Sequence, residues 1–254
     1  MTLLYAHRGA SKRMPENTLE SFRVALAHGA NAIETDAWMT RDRVIVLSHD
    51  GTGERMANVA TAIEDSTLAE VQSWDVSAGF EGPRDALARD ARRVPTLVDA
   101  LEAFPDVVFN VDAKGGAGML EPLIQTVRAL KAEDRVRLAS FSSLVLHRAR
   151  DLGWRGPMGL GQEEVGALVT LPEKALSFRC WKGRAAQVPR WIGPMPIVTR
   201  RFVERCHRLH IDVHVWTVNE ASDARELLDL GVDGLMSDAP DLIAPVIAER
   251  AATT

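Results

Sequence analysis

Leu3-Leu4-Tyr5-Ala6-His7-Arg8-Gly9, then Asn17-Thr18-Leu19-Glu20-Ser21-Phe22-Arg23-Val24-Ala25-Leu26, then Ala32-Ile33-Glu34-Thr35-Asp36 set the pattern of the whole chain. A short apolar run ends in His-Arg-Gly, a helical stretch follows, and a second apolar run ends in carboxylates. Leu3–Ala6 and Ala32–Thr35 read as strands. Between them, Asn17 is placed to cap a helix, with Glu20 three residues later as in a capping box. Leu19, Phe22 and Leu26 then form one apolar face at helical spacing.

The same alternation continues outward from this unit. Val107–Val111, Arg137–Ser140, Pro157–Leu160, Ala185–Val188, Val213–Trp216 and Gly234–Ser237 bring the candidate strands to eight. Phe202, Val203, Cys206 and Leu209 form a helical stripe. Ala224, Leu227 and Leu228 form another, stopped by Gly231. A last helix is expected from about Pro240, with Leu242, Ile243, Val246 and Ile247 facing inward. Strands alternating with helices predict an α/β architecture with a parallel sheet. Eight such units in 254 residues fit a (β/α)8 TIM barrel, which typically takes about 250 residues.

No linker, repeat or low-complexity segment divides the chain, so residues 1–254 are expected to form a single barrel domain. The stretch from about 50 to 94 breaks the alternation. It holds one helix-like piece, Thr67–Trp74, among glycine, proline and charge. It reads as an insertion after the second barrel strand, lying over the C-terminal face, where long loops are more often functional than structural. Residues 161–184 show no clear pattern.

The chain is 46% hydrophobic and 26% charged, with a net charge of -5. That balance argues against a broad nucleic-acid footprint. It leaves room for a phosphate ligand, which needs only a small basic cluster. Cys180 and Cys206 lie in no metal or redox spacing, so a disulfide framework is not expected and a cytoplasmic location is. No apolar run reaches the ~18 residues of a membrane span, and Met-Thr-Leu-Leu-Tyr lacks the basic start of an export signal. Oligomeric state is not legible.

The residues at the strand ends carry the chemistry. His7 and Arg8 leave the first strand together, a proton-transfer group beside a bidentate phosphate clamp. Alone, they also fit an ordinary surface pair. Pro15-Glu16-Asn17-Thr18 is a good helix start, and Glu16 is near enough in sequence to orient His7 or meet a metal. Glu34 and Asp36 are i and i+2 on one strand, so both carboxylates project to the same side. At a barrel mouth such a pair suits a hard divalent cation. The run Val44–Leu47 delivers a second histidine, His49. Asp112 and Lys114 repeat the i, i+2 arrangement at the next strand end, adding a third acid and a cation for phosphate. Trp216 ends a later strand, where it reads as a pocket wall or as core.

Taken in order, these motifs resemble the glycerophosphodiester phosphodiesterases. The resemblance is carried by His7-Arg8-Gly9, Pro15-Glu16-Asn17-Thr18, Glu34-Thr35-Asp36, His49-Asp50, Pro95-Thr96-Leu97, Asn110 through Lys114, Ser140-Phe141, Trp216 through Asn219, and Gly231 through Asp238. It implies a TIM barrel that hydrolyses glycerophosphodiesters to sn-glycerol 3-phosphate and an alcohol, with roles in glycerol and lipid metabolism. It implies one bound Mg2+ or Ca2+ held by Glu34, Asp36 and Asp112, the last standing where the family usually has Glu. His7 and His49 become the acid–base pair. The residues leave open which is which; the resemblance favours His49 as acid and His7 as base. Arg8, Lys114, Trp216 and Glu16 become substrate- or phosphate-binding residues. The insertion at 50–94 is expected to help form the substrate cleft, as are loops in 161–184.

Two other readings compete. One is a lysophospholipase D or sphingomyelinase D-like lipid phosphodiesterase of the same fold. The sequence displays no aromatic or basic membrane-facing patch, which weighs against bilayer substrates and stable membrane anchoring. The other is a non-catalytic phosphate-binding barrel, against which both histidines and the acids count.

Overall fold

In a computed structural model, which describes residues 2–84 and 87–253, the first unit folds as the alternation predicts. Strand β1 (Leu3–His7) leads to helix α1 (Leu19–Ala27) and strand β2 (Ala32–Met39). A short strand β3 (Ile45–Leu47) folds back antiparallel on β2. The insertion then contributes β4 (Thr52–Gly53), α2 (Glu54–Ala57), β5 (Val59–Ala62) and α3 (Leu68–Val71). After it come α4 (Leu97–Ala103), β6 (Val108–Ala113), α5 (Leu120–Ala129), β7 (Val136–Ala139), α6 (Ser143–Asp151), α7 (Gln162–Thr170) and α8 (Glu173–Leu176). The chain continues with β8 (Ala185–Pro189), the hairpin of β9 (Trp191–Ile192) and β10 (Met195–Pro196), α9 (Arg200–Arg208), β11 (Asp212–Trp216), α10 (Ala221–Leu230), β12 (Gly234–Ser237) and α11 (Pro240–Thr253).

The parallel sheet runs β7-β6-β2-β1-β12-β11-β8. Residues 157–160, expected as the fifth strand, are reduced to two parallel bridges, Leu138 to Met158 and Gly159 to Ala185. Those bridges join β7 to β8 and close the ring, giving the (β/α)8 barrel. Helices pack outside it. One apolar cluster, with Leu168, Val203, Val213, Leu227 and Ile243, lies beneath the later strands. A second, with Phe22, Ile33, Phe109, Leu123 and Leu146, lies beneath the earlier ones. The insertion has a core of its own, in which Val46, Ile63, Val71, Trp74, Val76 and Val94 are buried together.

Some local expectations need correction. The N-cap of α1 is Thr18, whose hydroxyl accepts from the Ser21 backbone N–H, and Ser21 closes the capping box. Asn17 is instead in a left-handed conformation, φ 54°, because its amide is used elsewhere. It donates to Asp36 at 3.3 Å and accepts from the Thr35 hydroxyl at 2.7 Å. In α11, Ile243 and Val246 are buried, but Leu242 is 49% exposed and does not face inward. Asymmetry at the ends of α9 and α10 follows simple rules. Gly231 takes the left-handed position after α10, φ 92°, where a side chain would be strained.

Candidate active site

The strand ends meet in register at the C-terminal mouth. His7 pairs with Glu34 across β1 and β2. Glu34 stands opposite Asn110, and Asp36 opposite Asp112, across β2 and β6. Because alternate residues of a strand share a face, one layer holds His7, Glu34 and Asn110, and the next holds Asp36 and Asp112. His49 arrives just beyond β3, its preceding residue tied to the site by a Ser48 N–H to Asp36 carbonyl bond of 2.9 Å. A cavity of about 450 Å3 opens there, lined by His7, Arg8, Glu34, Asp36, His49 and Asp112 among others. Lys114 and Trp216 also line it.

The turn after β1 is built to deliver two side chains. Arg8 and Gly9 both have positive φ, 60° and 87°. The Arg8 N–H donates to the Glu34 carbonyl, and the Arg8 carbonyl accepts from Asn17 N–H, both at 2.9 Å. A Cβ on Gly9 would lie 2.1 Å from the Ser21 hydroxyl, so the close packing of this turn on α1 demands glycine.

Each histidine is anchored through Nδ1 to an aspartate. His7 Nδ1 lies 2.7 Å from Asp238 Oδ1, and His49 Nδ1 lies 2.8 Å from Asp50 Oδ1. Asp238 is itself fixed by the Ser11 hydroxyl at 3.0 Å and the Asn219 amide at 2.8 Å. Burial opposes ionisation of Asp238, yet His7, Asn219 and Ser11 outweigh it and hold its pKa down at about 2. Burial likewise opposes the His7 imidazolium, but the bond to Asp238 and the charge of Glu34, whose Oε2 is 3.9 Å from Nε2, raise its pKa overall. The Nδ1 contacts leave Nε2 of both rings free for proton transfer.

Behind His49 runs a chain of charge. Arg55, from the insertion, donates from Nε to Asp50 at 2.6 Å and from Nη2 to Glu16 at 2.6 Å. Glu16 also accepts from Arg8 Nη1 at 3.3 Å. Glu16 therefore holds two guanidinium groups and does not orient His7, which is the work of Asp238. Arg8 Nε lies 3.2 Å from Asp36. Arg55 was marked in the sequence only by its family-like spacing with Thr52 and Asn58 in the loop after His49, with no role attached, and Asp238 was quoted only as part of a closing motif.

The acids form a strained electrostatic group. Glu34 is buried beside other carboxylates; burial first, then Asp36, pushes its pKa up to about 8. Burial also raises that of Asp112. Glu34 Oε2 and Asp112 Oδ1 are buried without a hydrogen-bond partner. Such orphaned oxygens are the donors a hard divalent cation selects. Lys114 Nζ now supplies positive charge, 3.2 Å from Asp36 and 2.8 Å from Asp112. Among the described residues, no three acids or histidines are drawn close enough together to close on an ion.

The cavity also holds apolar side chains, interleaved with Ser140, Gln162 and Gln187. Phe141, Leu160, Val165, Val188, Ile192 and Met236 line it. Trp216 packs edge-to-face on Phe141 at 5.9 Å, and so acts as a pocket wall. Among the described residues of 50–94, none lines the cavity. The insertion was expected to help form the cleft; among its described residues, Arg55 reaches the site from behind, through Asp50 beside His49 and through Glu16 beside Arg8. The 161–184 stretch contributes Gln162 and Val165, both from α7.

Comparison with known proteins identifies the family. The sequence profile of the Glycerophosphoryl diester phosphodiesterase family matches residues 7–242. A probable glycerophosphodiester phosphodiesterase 2 of Mycobacterium tuberculosis is 33% identical, over 96% of this chain and 90% of its own. A glycerophosphodiester phosphodiesterase of Caldanaerobacter subterraneus subsp. tengcongensis is 30% identical, over 97% of this chain and 98% of its own. The solved structure of an Oleispira antarctica phosphodiesterase, in complex with the product sn-glycerol-3-phosphate, shares the fold with a TM-score of 0.78 and 24% identity, covering 97% of this chain and 96% of that one. The chain belongs to the glycerophosphoryl diester phosphodiesterase family, and with it to the phosphodiester hydrolases.

Proposed function

We propose that the chain hydrolyses glycerophosphodiesters to sn-glycerol 3-phosphate and an alcohol, by two-histidine acid–base catalysis that depends on one divalent cation. The observation that carries this reading is the pair of aspartate-anchored histidines lining one cavity with Arg8, Lys114 and three acids. The relative from Oleispira antarctica, which holds sn-glycerol-3-phosphate, supports the same product.

Arg8 would grip two phosphate oxygens with its planar fork, and Lys114 would add a point charge. His7, whose proton affinity is raised by Asp238 and Glu34 against the cost of burial, takes the proton of the nucleophile at Nε2. That nucleophile is water or the neighbouring glycerol hydroxyl. His49 donates from Nε2 to the leaving alkoxide oxygen. Glu34, Asp36 and Asp112 would hold the Mg2+ or Ca2+, which when bound supplies positive charge to the phosphate oxygens. Trp216 closes one wall, and Glu16 with Arg55 keeps Arg8 and Asp50 in place.

Residues 1–254 are read as one barrel domain with its insertion. Both cysteines are free thiols, Cys180 exposed and Cys206 buried, which suits a reducing cytoplasm. No described helix is long and apolar enough to cross a membrane.

Glycerophosphocholine and glycerophosphoethanolamine, incubated with Mg2+ or Ca2+, should release glycerol 3-phosphate, and exhaustive chelation should stop the release. No release from any glycerophosphodiester would contradict the activity. Release that survives chelation would remove the cation from it.

A further inference from the structure

A second cavity, of about 390 Å3, lies among the helices, between the end of α7 and the start of α9. Among the described residues it shares no lining side chain with the catalytic cavity. Leu171, Pro172, Pro196, Ile197 and Phe202 give it apolar walls. The charged side chains in its lining are both cations, Arg201 and Arg205.

Arg205 is only 8% exposed, so its guanidinium has left water. Its Nη1 donates to the Leu168 and Leu171 carbonyls, at 2.6 and 3.2 Å, at the end of α7. Its Nε is buried without a hydrogen-bond partner. Two neutral carbonyls offset only part of a buried charge, and a buried cation without a counter-charge is costly. Arg201, one turn earlier on α9, is exposed and enters no hydrogen bond or ion pair among the described residues. At i and i+4 the two arginines share a helix face, where like charges repel. Glu173, the acid next to Pro172, is taken by Arg208. The backbone adds to the positive field. Helix α9 is nine residues long and starts beside Thr199, which also lines the cavity. The Thr199 hydroxyl accepts from the Phe202 N–H at 3.2 Å. The N–H groups of Arg200 and Arg201 meet no backbone acceptor among the described residues. Such a helix start attracts negative charge.

We propose that this cavity is a binding site, separate from the catalytic one, for a small organic anion. Arg201, Arg205 and the first turn of α9 hold its acidic head, and Pro172, Ile197 and Phe202 hold a compact apolar body. A carboxylate and a phosphate monoester share that chemistry. The site stands independently of the proposed hydrolysis.

Titration calorimetry on the intact protein tests it with benzoate, phenyl phosphate and the neutral benzamide. At least one of the two anions should bind with a Kd of about 1 mM or tighter, within reach of so compact a ligand. It should bind at least about tenfold tighter than benzamide, the scale of one charge-assisted hydrogen bond. Which anion binds identifies the head. Arg201→Gln, an exposed change that leaves the Arg205 contacts with α7 in place, should weaken that binding by about tenfold or more. Arg201→Lys should keep most of it, and Arg8→Gln, in the catalytic cavity, should leave the Arg201-dependent binding unchanged. Circular dichroism checks that each variant is folded. Absence of binding by both anions, benzamide binding as tightly as they do, or an affinity that Arg201→Gln leaves untouched overturns the site. Binding that survives Arg201→Gln but is lost in Arg8→Gln overturns it too, by placing the anion in the catalytic cavity.

Discussion

His7 owes its orientation to a residue 231 positions away, Asp238. Replacing Asp238 with asparagine keeps the shape but loses the negative charge that steadies the imidazolium. We expect kcat to fall by about tenfold or more, the scale of a weakened acid–base group, with a smaller change in KM. Equal kinetic constants for wild type and variant would show that His7 needs no such partner. The same pair predicts a pH effect on stability. Asp238 has its pKa lowered from 3.8 to about 2 in the fold. Its stabilising contribution is therefore fully present above about pH 4 and lost as pH falls toward 2. The melting temperature should drop through that window, and Asp238→Asn should flatten the drop. At this scale the sequence revealed residue types but not partners. His7, His49, Glu34, Asp36, Asp112 and Lys114 were legible because each ends an apolar run. The partnerships of Asp238 and Arg55 were not, because nothing local marks a contact across the barrel or from an insertion.

Helix α1 shows how far local rules reach. The helix itself was readable from Leu19, Phe22 and Leu26, but its cap was placed one residue early. Asn17 is a good cap in isolation; here Asp36 and Thr35 claim its side chain, and the cap passes to Thr18. Thr18→Ala should cost about 1 kcal/mol in denaturant unfolding. Gly9→Ala should cost more, since it combines a left-handed backbone, at about 1–2 kcal/mol, with a clash against Ser21. A smaller loss for Gly9→Ala than for Thr18→Ala would contradict the tight packing of the His7-Arg8-Gly9 turn on α1. The fifth strand was legible in position but not in extent, because residues 157–160 make only two bridges. In 161–184 the pattern was hidden because α7 starts at a glycine and carries another, Gly166, in its middle. His210 is a last example: it has φ 56° just after α9, a position that favours glycine, and its place there is conformational.

Across the whole molecule, the barrel gathers side chains from five strand ends, a histidine from β3 and an arginine from the insertion. The alternation of strand and helix made that architecture visible, since each apolar run must bury itself in a shared sheet. The substrate cleft was not visible in the same way. Its apolar wall comes from β8, the following hairpin and α7, whereas the insertion braces His49 from behind. Arg55→Ala should therefore lower kcat while leaving the folded barrel intact, measured as reduced turnover at an unchanged circular-dichroism spectrum. A global loss of fold would show the insertion to be structural instead. The central claim is that two histidines on one cavity carry the proton transfers. Its most direct test is steady-state hydrolysis of glycerophosphocholine by the wild type, His7→Ala and His49→Ala in saturating divalent cation. Each substitution should lower kcat by about 100-fold or more; near-wild-type turnover by either variant would contradict the account.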